Sequence, residues 1–286
     1  MSYSIERYAD DLSLAGKAAR TVGTYCDNVR RFERWAQRSA NDVGEVEVRD
    51  FLRHLLLDRK LATRTYVTYM AALIFLYRQT LGRPEVVVGL VRPKVPHTQI
   101  VVPTVSEVRA LIEHAPTPFA RVMFETAYGC GLRSSEVCAL RAEDIDSSHR
   151  LIHVRHGKGD KQRVVMLGER LLASLRDHWR RHRLPGPWLF PLPVRGAPTW
   201  SDQPVDMIWL GRRFATARFR SGVRRKITLH GLRHAFASHL LEVGTDTAVL
   251  RVLMGHQDIA TTVHYAHVRT DLLRTTPSPL DLLYKS

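Results

Sequence analysis

Cysteine is scarce in this chain, and its few cysteines cannot build a scaffold. Among 286 residues only Cys26, Cys130 and Cys138 occur, and no two stand in a C-x-x-C pair. That excludes a disulfide framework and a cysteine zinc site, and points to a reducing compartment. Long apolar runs are also missing. The longest, residues 69–77, is far too short to cross a bilayer. Residues 1–11 carry Glu6, Arg7, Asp10 and Asp11 where a secretory leader would be apolar, so a cytoplasmic protein of the bacterial nucleoid, with no membrane partner, is expected. No G-x-x-x-x-G-K-[ST] loop, long repeat or low-complexity tract appears. Acidic residues are under-represented: 28 Asp and Glu face 43 Lys and Arg, a formal charge of +15 spread along the chain. Such a surface favours polyanions, nucleic acid above all, although a merely basic protein would show the same sign.

What is present begins with helical periodicity over residues 5–80. Val22, Tyr25, Val29, Phe32 and Trp35 recur at three- and four-residue spacing, with Arg30, Arg31, Arg34 and Arg38 opposite. Further segments run over 46–59 and 62–80, the last with Arg64 near its start and Tyr66, Tyr69, Leu73, Leu76 and Tyr77 as its apolar stripe. Four short-joined helices make a small bundle. Its basic faces are ordinary solvent faces or one side of a duplex contact. Gly82, Pro84, Gly89, Pro93, Pro96 and Pro103 then break the pattern. The expected domains are therefore 1–82, a linker at 83–103 that lies either along a phosphate backbone, with Lys94 among its contacts, or on its own domains, and 104–286.

The second domain opens on the capping box Thr104-Val105-Ser106-Glu107. After an apolar helix over 119–128, Gly129-Cys130-Gly131-Leu132-Arg133-Ser134-Ser135-Glu136 supplies a tight turn and then a helix start, a place for an anion near Arg133. Glu136 either holds Arg133 in position or forms an ordinary i, i+3 ion pair. Two β-like runs, 151–155 and 163–167, flank a glycine-bounded tip that carries Lys158 and Lys161, with Arg163 just beyond. Lys158 is either solvated or able to reach a groove and donate a proton. Helices are expected over 169–182 and 205–220, separated by a Pro-rich loop over 184–204. The fold class is mainly α with a small antiparallel β-sheet. A basic cluster that includes Arg224 and Arg225 leads into His230-Gly231-Leu232-Arg233-His234. If 228–243 is helical, His230 and Arg233 leave one face, where a guanidinium fork and an imidazole suit a phosphodiester. A solvated or salt-bridged face gives the same pattern. His256 follows, and Tyr265 lies nine residues further on.

Taken together, Gly131-Leu132-Arg133-Ser134-Ser135-Glu136, Gly157-Lys158-Gly159, His230-Gly231-Leu232-Arg233-His234, Gly255-His256 and Thr261-Thr262-Val263-His264-Tyr265 resemble, in order and spacing, the tyrosine site-specific recombinases. The similarity is to the phage integrase family, of the Xer-like and the transposon or integron integrase type. It covers 102–269 strongly and 5–80 more loosely, although Gly231 and Met254 are unusual choices within their motifs. The resemblance implies a helical, SAM-like core-binding domain, a catalytic recombinase domain, and a C-shaped clamp on DNA. It implies that Arg133 and Arg233 hold the non-bridging oxygens of the scissile phosphate. Lys158 would protonate the leaving 5′ oxygen, His230 would exchange a proton with the nucleophile, His256 would hydrogen-bond the phosphate, and Tyr265 would attack. Neither ATP nor magnesium is called for, so no cofactor and no metal are expected. The implied partners are double-stranded DNA carrying recombination sites, and copies of the chain in a tetramer, a dimer per site, joined through the C-terminal tail; from the residues alone, a terminal helix packed on its own chain fits that apolar tail equally well. Arg30, Arg31, Arg34, Arg64, Lys94, Lys161, Arg163, Arg224 and Arg225 are the expected DNA contacts.

Three rivals have testable signatures. The four-residue spacing of His230 and His234 suits a zinc hydrolase, but H-E-x-x-H needs Glu where Gly231 stands. A DNA-binding architectural or regulatory protein with a decayed site would lack catalytic positions, and here each is filled. A type IB topoisomerase would relax plasmid at no specific site.

Overall fold

The computed structural model describes residues 4–96, 101–155, 162–182, 184, 186–194, 196–197, 199–255 and 276–284. The chain divides into two compact units, Met1–Gln99 and Ile100–Ser286. Among the described residues no helix is long and apolar enough to cross a membrane.

The first unit holds α1 (Ile5–Leu14), α2 (Ala19–Ala36), α3 (Glu45–Arg53) and α4 (Thr63–Phe75). Helical spacing sets its core: α2 buries Cys26, Val29 and Phe32, and α4 buries Tyr66, Tyr69 and Leu73. Phe32 and Phe51 pack at 5.1 Å between ring centroids. Tyr8 and Tyr77 are wholly buried, and their hydroxyls donate to the carbonyls of Ala72 and Ala40, each at 2.9 Å. Those bonds remove the cost of an unpaired hydroxyl in the core. The expected linker departs from expectation at its start. Residues Pro84–Val87 form a 3-10 turn with Val86 and Val87 buried, and Arg83 donates to the carbonyls of Asn41 at 2.7 Å and Val43 at 3.0 Å. Burial of two adjacent valines outweighs the neighbouring Pro and Gly, so this stretch belongs to the bundle's core.

The second unit is organised around α6 (Pro118–Gly129), in which every residue from Phe119 to Gly129 is buried except Arg121. Its start is capped by Thr117, whose hydroxyl accepts from the Ala120 N–H at 3.1 Å. Around it stand α5 (Val105–Glu113), begun by the expected Thr104–Glu107 capping box, α7 (Ser134–Cys138), α8 (Glu169–His182), α9 (Met207–Arg220), α10 (Leu229–Glu242) and α11 (Thr247–Met254). An antiparallel sheet pairs β1 (Ile145–Asp146) with β2 (Leu151–Val154) and β2 with β3 (Arg163–Met166), Ile152 facing Val165. The first of these strands is too short to leave a periodic signal.

The loop expected over 184–204 is a further correction, because it contains a second, two-stranded sheet of β4 (Pro191–Pro193) and β5 (Trp200–Pro204). Its prolines concealed the strands. What holds them is packing, since Trp200 stacks on Phe119 at 4.8 Å and Phe190 is fully buried.

The last helix, α12 (Pro279–Leu283), docks on its own unit. Leu280 and Leu283 are buried, and the Ser278 hydroxyl donates to the Gly129 carbonyl at 3.1 Å. The carboxylate of Asp281 accepts the Glu169 and Arg170 N–H groups, at 3.2 and 3.1 Å, and so caps α8 from a distant point in the chain. Gly168 is required there, because a Cβ would lie 2.5 Å from the Asp281 carboxylate. Truncating Leu280→Ala removes a fully buried side chain and should lower unfolding free energy by about 2–5 kcal/mol. Urea denaturation followed by circular dichroism measures this; an unchanged midpoint would show that α12 does not dock in solution.

Candidate active site

The site begins at the end of α6. Gly131 takes a left-handed conformation, φ +60°, and a Cβ there would lie 2.4 Å from the Phe236 ring on α10. Only a bare backbone permits this approach. The turn delivers Arg133 to the start of α7, where Glu136 reaches back: its Oε2 accepts the Arg133 N–H at 2.7 Å, and its Oε1 accepts from the Arg133 guanidinium at 2.7 Å. Arg163, at the start of β3, donates to both oxygens of the same carboxylate, at 2.8 and 2.7 Å. Its Nε donates to the Leu253 carbonyl at 3.0 Å, at the end of α11.

Arg233 arrives from α10, with its side chain only 3 % exposed. Its two terminal nitrogens donate to the carbonyls of Gly131 and Met254, and one of them stands 3.9 Å from Glu136 Oε2. Among the described residues two of its five N–H bonds are thereby used. Burial, followed by the charges of Arg133 and Arg163, pushes its pKa down to about 10 against the opposing pull of Glu136, so it stays cationic at neutral pH. Burial also works against the ionised form of Glu136, but the hydrogen bonds from Arg163 and Arg133 outweigh it and hold the pKa at about 2. Among the described residues Glu136 is the one carboxylate paired with Arg133, Arg163 and Arg233, so positive charge is in excess.

His230 lies one turn before Arg233, its ring 4.7 Å from that of His234 in a T-shaped pair. Burial, then His234, Arg233 and Arg133, lower its pKa, which favours the neutral imidazole able to accept a proton. The helix carrying both is fixed at its far end by His239, whose Nε2 lies 3.1 Å from the Pro103 carbonyl and whose Nδ1 lies 2.8 Å from the Tyr128 hydroxyl. A carbonyl only accepts, so Nε2 carries the hydrogen. Gly231 lets α10 sit against Ile227 and Pro103, since a Cβ would meet Ile227 at 3.2 Å. This is the physical reason for the unusual residue in that motif.

The structure therefore gathers Arg133, Glu136, His230 and Arg233. Lys158, Lys161, His256 and Tyr265 lie outside the described residues. Arg163 corrects its expected part as a DNA contact: its side chain is 8 % exposed and committed to Glu136. Its place one residue after the glycine-bounded loop suggested the groove, whereas strand alternation would have turned it inward. Of the other expected contacts, Arg34, Arg64, Lys94 and Arg224 are exposed. Arg30 is exposed and pairs with Asp27 at 3.1 Å. Arg31 is likewise exposed, and it donates to the Tyr69 hydroxyl at 2.8 Å. Arg225 is tied to the Val102 carbonyl and lies 3.4 Å from Glu107, which fixes the entry to α5.

The chain is similar to known proteins over both of its units. Residues 103–271 match the phage integrase family, and residues 5–85 match the phage integrase N-terminal SAM-like domain. An integrase/recombinase of Sinorhizobium fredii is 34 % identical over 281 residues, covering 97 % of this chain and 88 % of the relative. Tyrosine recombinase XerA of Thermococcus onnurineus is 32 % identical over 275 residues, covering 94 % and 92 %. Among solved structures, lambda integrase (residues 75–356) bound to DNA has a TM-score of 0.71 at 18 % identity, covering 93 % of this chain and 94 % of that one. XerH bound to a palindromic difH substrate has a TM-score of 0.64 at 19 % identity, covering 88 % and 77 %. The family models over both units and relatives 34 % and 32 % identical over nearly the whole chain define the class, a DNA-recombining enzyme. The chain belongs to the phage integrase family and is a tyrosine recombinase, an enzyme of site-specific DNA recombination.

Glu136 also sets a pH dependence. The unfolded carboxyl takes up its proton near 4.5 and the folded one only near 2, so its contribution is complete above pH 4.5 and is lost as pH falls toward 2. The shift corresponds to about 3 kcal/mol. The gap in urea unfolding free energy between the native chain and Glu136→Gln should be widest at pH 6 and close progressively below pH 4.5; a gap constant down to pH 3 would refute this.

Proposed function

We propose that the chain cuts one DNA strand at a time by attack of the Tyr265 phenol on the scissile phosphate, at sites in double-stranded DNA. The P–O bond to the 5′ oxygen breaks as the bond to the phenol oxygen forms, leaving a 3′-phosphotyrosyl enzyme and a 5′-hydroxyl. A phenol with a pKa of about 10 is a weak nucleophile at neutral pH and needs a base and nearby cations. His230 is the base that takes its proton. Lys158 supplies a proton to the departing oxygen, and His256 hydrogen-bonds the phosphate. Arg133 and Arg233 offset the negative charge that develops on the phosphoryl oxygens. The observation carrying this reading is the convergence of these two guanidiniums beside a partly shielded imidazole whose pKa is lowered.

A second strand then reverses the step, and the covalent bond conserves the energy of the original linkage. The exposed Arg34, Arg64, Lys94 and Arg224 lie along the duplex backbone. Four copies work together, two per site, in the bacterial nucleoid. In that assembly α12 leaves its own unit and fills the equivalent surface of a neighbour. Leu280 and Leu283, buried in their own unit here, are the side chains that this exchange would carry across.

Incubation with labelled genomic fragments, followed by denaturation, should trap a covalent 3′ adduct for the native chain and none for Tyr265→Phe. Sequencing the trapped DNA gives the site. An adduct that persists with Tyr265→Phe would remove this assignment, and plasmid relaxation at no preferred sequence would replace recombination by topoisomerase activity.

A further inference from the structure

We infer that Arg163 is a positioning residue whose task is to occupy Glu136, so that this carboxylate does not compete with the DNA phosphate for Arg233. The inference rests on the recombinase reading and assigns a part to a residue outside the catalytic set.

A carboxylate offers about four acceptor positions. Glu136 fills them with the Arg133 N–H, the Arg133 guanidinium and the two Arg163 terminal nitrogens, at 2.7, 2.7, 2.8 and 2.7 Å. Saturation accounts for the placing of Arg233, which stands 3.9 Å from Oε2 and turns its terminal nitrogens to the carbonyls of Gly131 and Met254 instead. Were Arg163 removed, two acceptor positions would open on a side chain 1 % exposed, and among the described residues Arg233 is the next guanidinium in reach after Arg133, which Glu136 already holds. The buried charge would draw Arg233 in, because an uncompensated carboxylate there is costly. Arg233 would then be spent on its own protein.

Arg163 has a second hold. Its Nε takes the Leu253 carbonyl and Arg233 takes the next one, Met254, so adjacent guanidiniums grip the open end of α11. Gly255 follows in a left-handed conformation, φ +58°, with a Cβ position 3.0 Å from Arg163 Cδ. The residue after it is His256. One planar side chain thus joins β3, α7 and the end of α11, and a lysine cannot, since a single ammonium does not present a fork to two oxygens and a carbonyl at once.

The test is a double-mutant cycle on the full chain: Arg163→Met, Glu136→Gln, the pair together, and Arg163→Lys, each checked for folding by circular dichroism. Two readouts are used, the rate of adduct formation on the duplex recovered from the native adduct, and binding of inorganic orthovanadate, without DNA, by calorimetry. Arg163→Met should lose about tenfold or more in both, and Arg163→Lys should fail to restore them. The pair together should recover most of the loss, because the amide no longer captures Arg233. Losses that add in the pair, or native behaviour of Arg163→Met, overturn the inference. If the native chain forms no adduct, the recombinase reading falls while the vanadate cycle still judges Arg163; a folded native chain that binds no vanadate counts against both.

Discussion

Burying a carboxylate costs several kcal/mol unless hydrogen bonds return the loss, and the candidate site is arranged around one such group. Glu136 is 4 % exposed and stays ionised because Arg163 and Arg133 donate to it from β3 and from the start of α7. Take that charge away and three guanidiniums would stand together with no counter-ion among the described residues. The ion pairs are not a surface decoration of negligible worth. They fix which N–H bonds of the arginines are already used and which are free.

The scaffold explains why those side chains can meet. Helix α6 is buried along almost its whole length, so its end is a rigid platform for the Gly131 turn. Gly131 against Phe236 then sets the spacing between that turn and α10, and the Gly131 carbonyl is one of the two that anchor Arg233. The other, at Met254, is a helix-end carbonyl without a partner in its own helix, which a cation satisfies well. Backbone geometry and charge placement are therefore one problem: the glycine that permits the close approach also delivers the acceptor that orients the guanidinium.

Much of this could be read from the sequence. The Thr104–Glu107 capping box, the hairpin of β2 and β3, and the helix presenting His230 and Arg233 all follow local rules, and each formed as expected. What local rules miss is set by distant partners. Asp281 caps α8 across more than a hundred residues, and nothing near either position hints at it. Pro191 and Pro193 look like loop residues, yet they sit in a two-stranded pair held by Trp200 on Phe119. Val86 and Val87 were obscured by the surrounding Gly and Pro, and their burial needs the rest of the bundle. For Arg163 strand alternation gives the inward direction but not what it meets there. Its partner, Glu136, lies 27 positions earlier, so the pair is visible only once the sheet and α7 are assembled.

The residual charge of the site is the last link between fold and function. Arg233 has its pKa pushed down to about 10 by burial and by its cationic neighbours, so the free protein holds it in a less favourable setting than water would provide. Such a group is stabilised by whatever anion enters. Because its orientation is already fixed by two backbone carbonyls, the phosphate of the proposed reaction would meet a guanidinium that needs little reorganisation. In the proposed reaction the unfavourable term in the free protein would become a favourable one in the complex, growing as charge develops on the phosphoryl oxygens. A second carboxylate would make such a site more stable alone and weaker in the transition state of the proposed reaction, so the ratio of one acid to three arginines among the described residues suits that reaction.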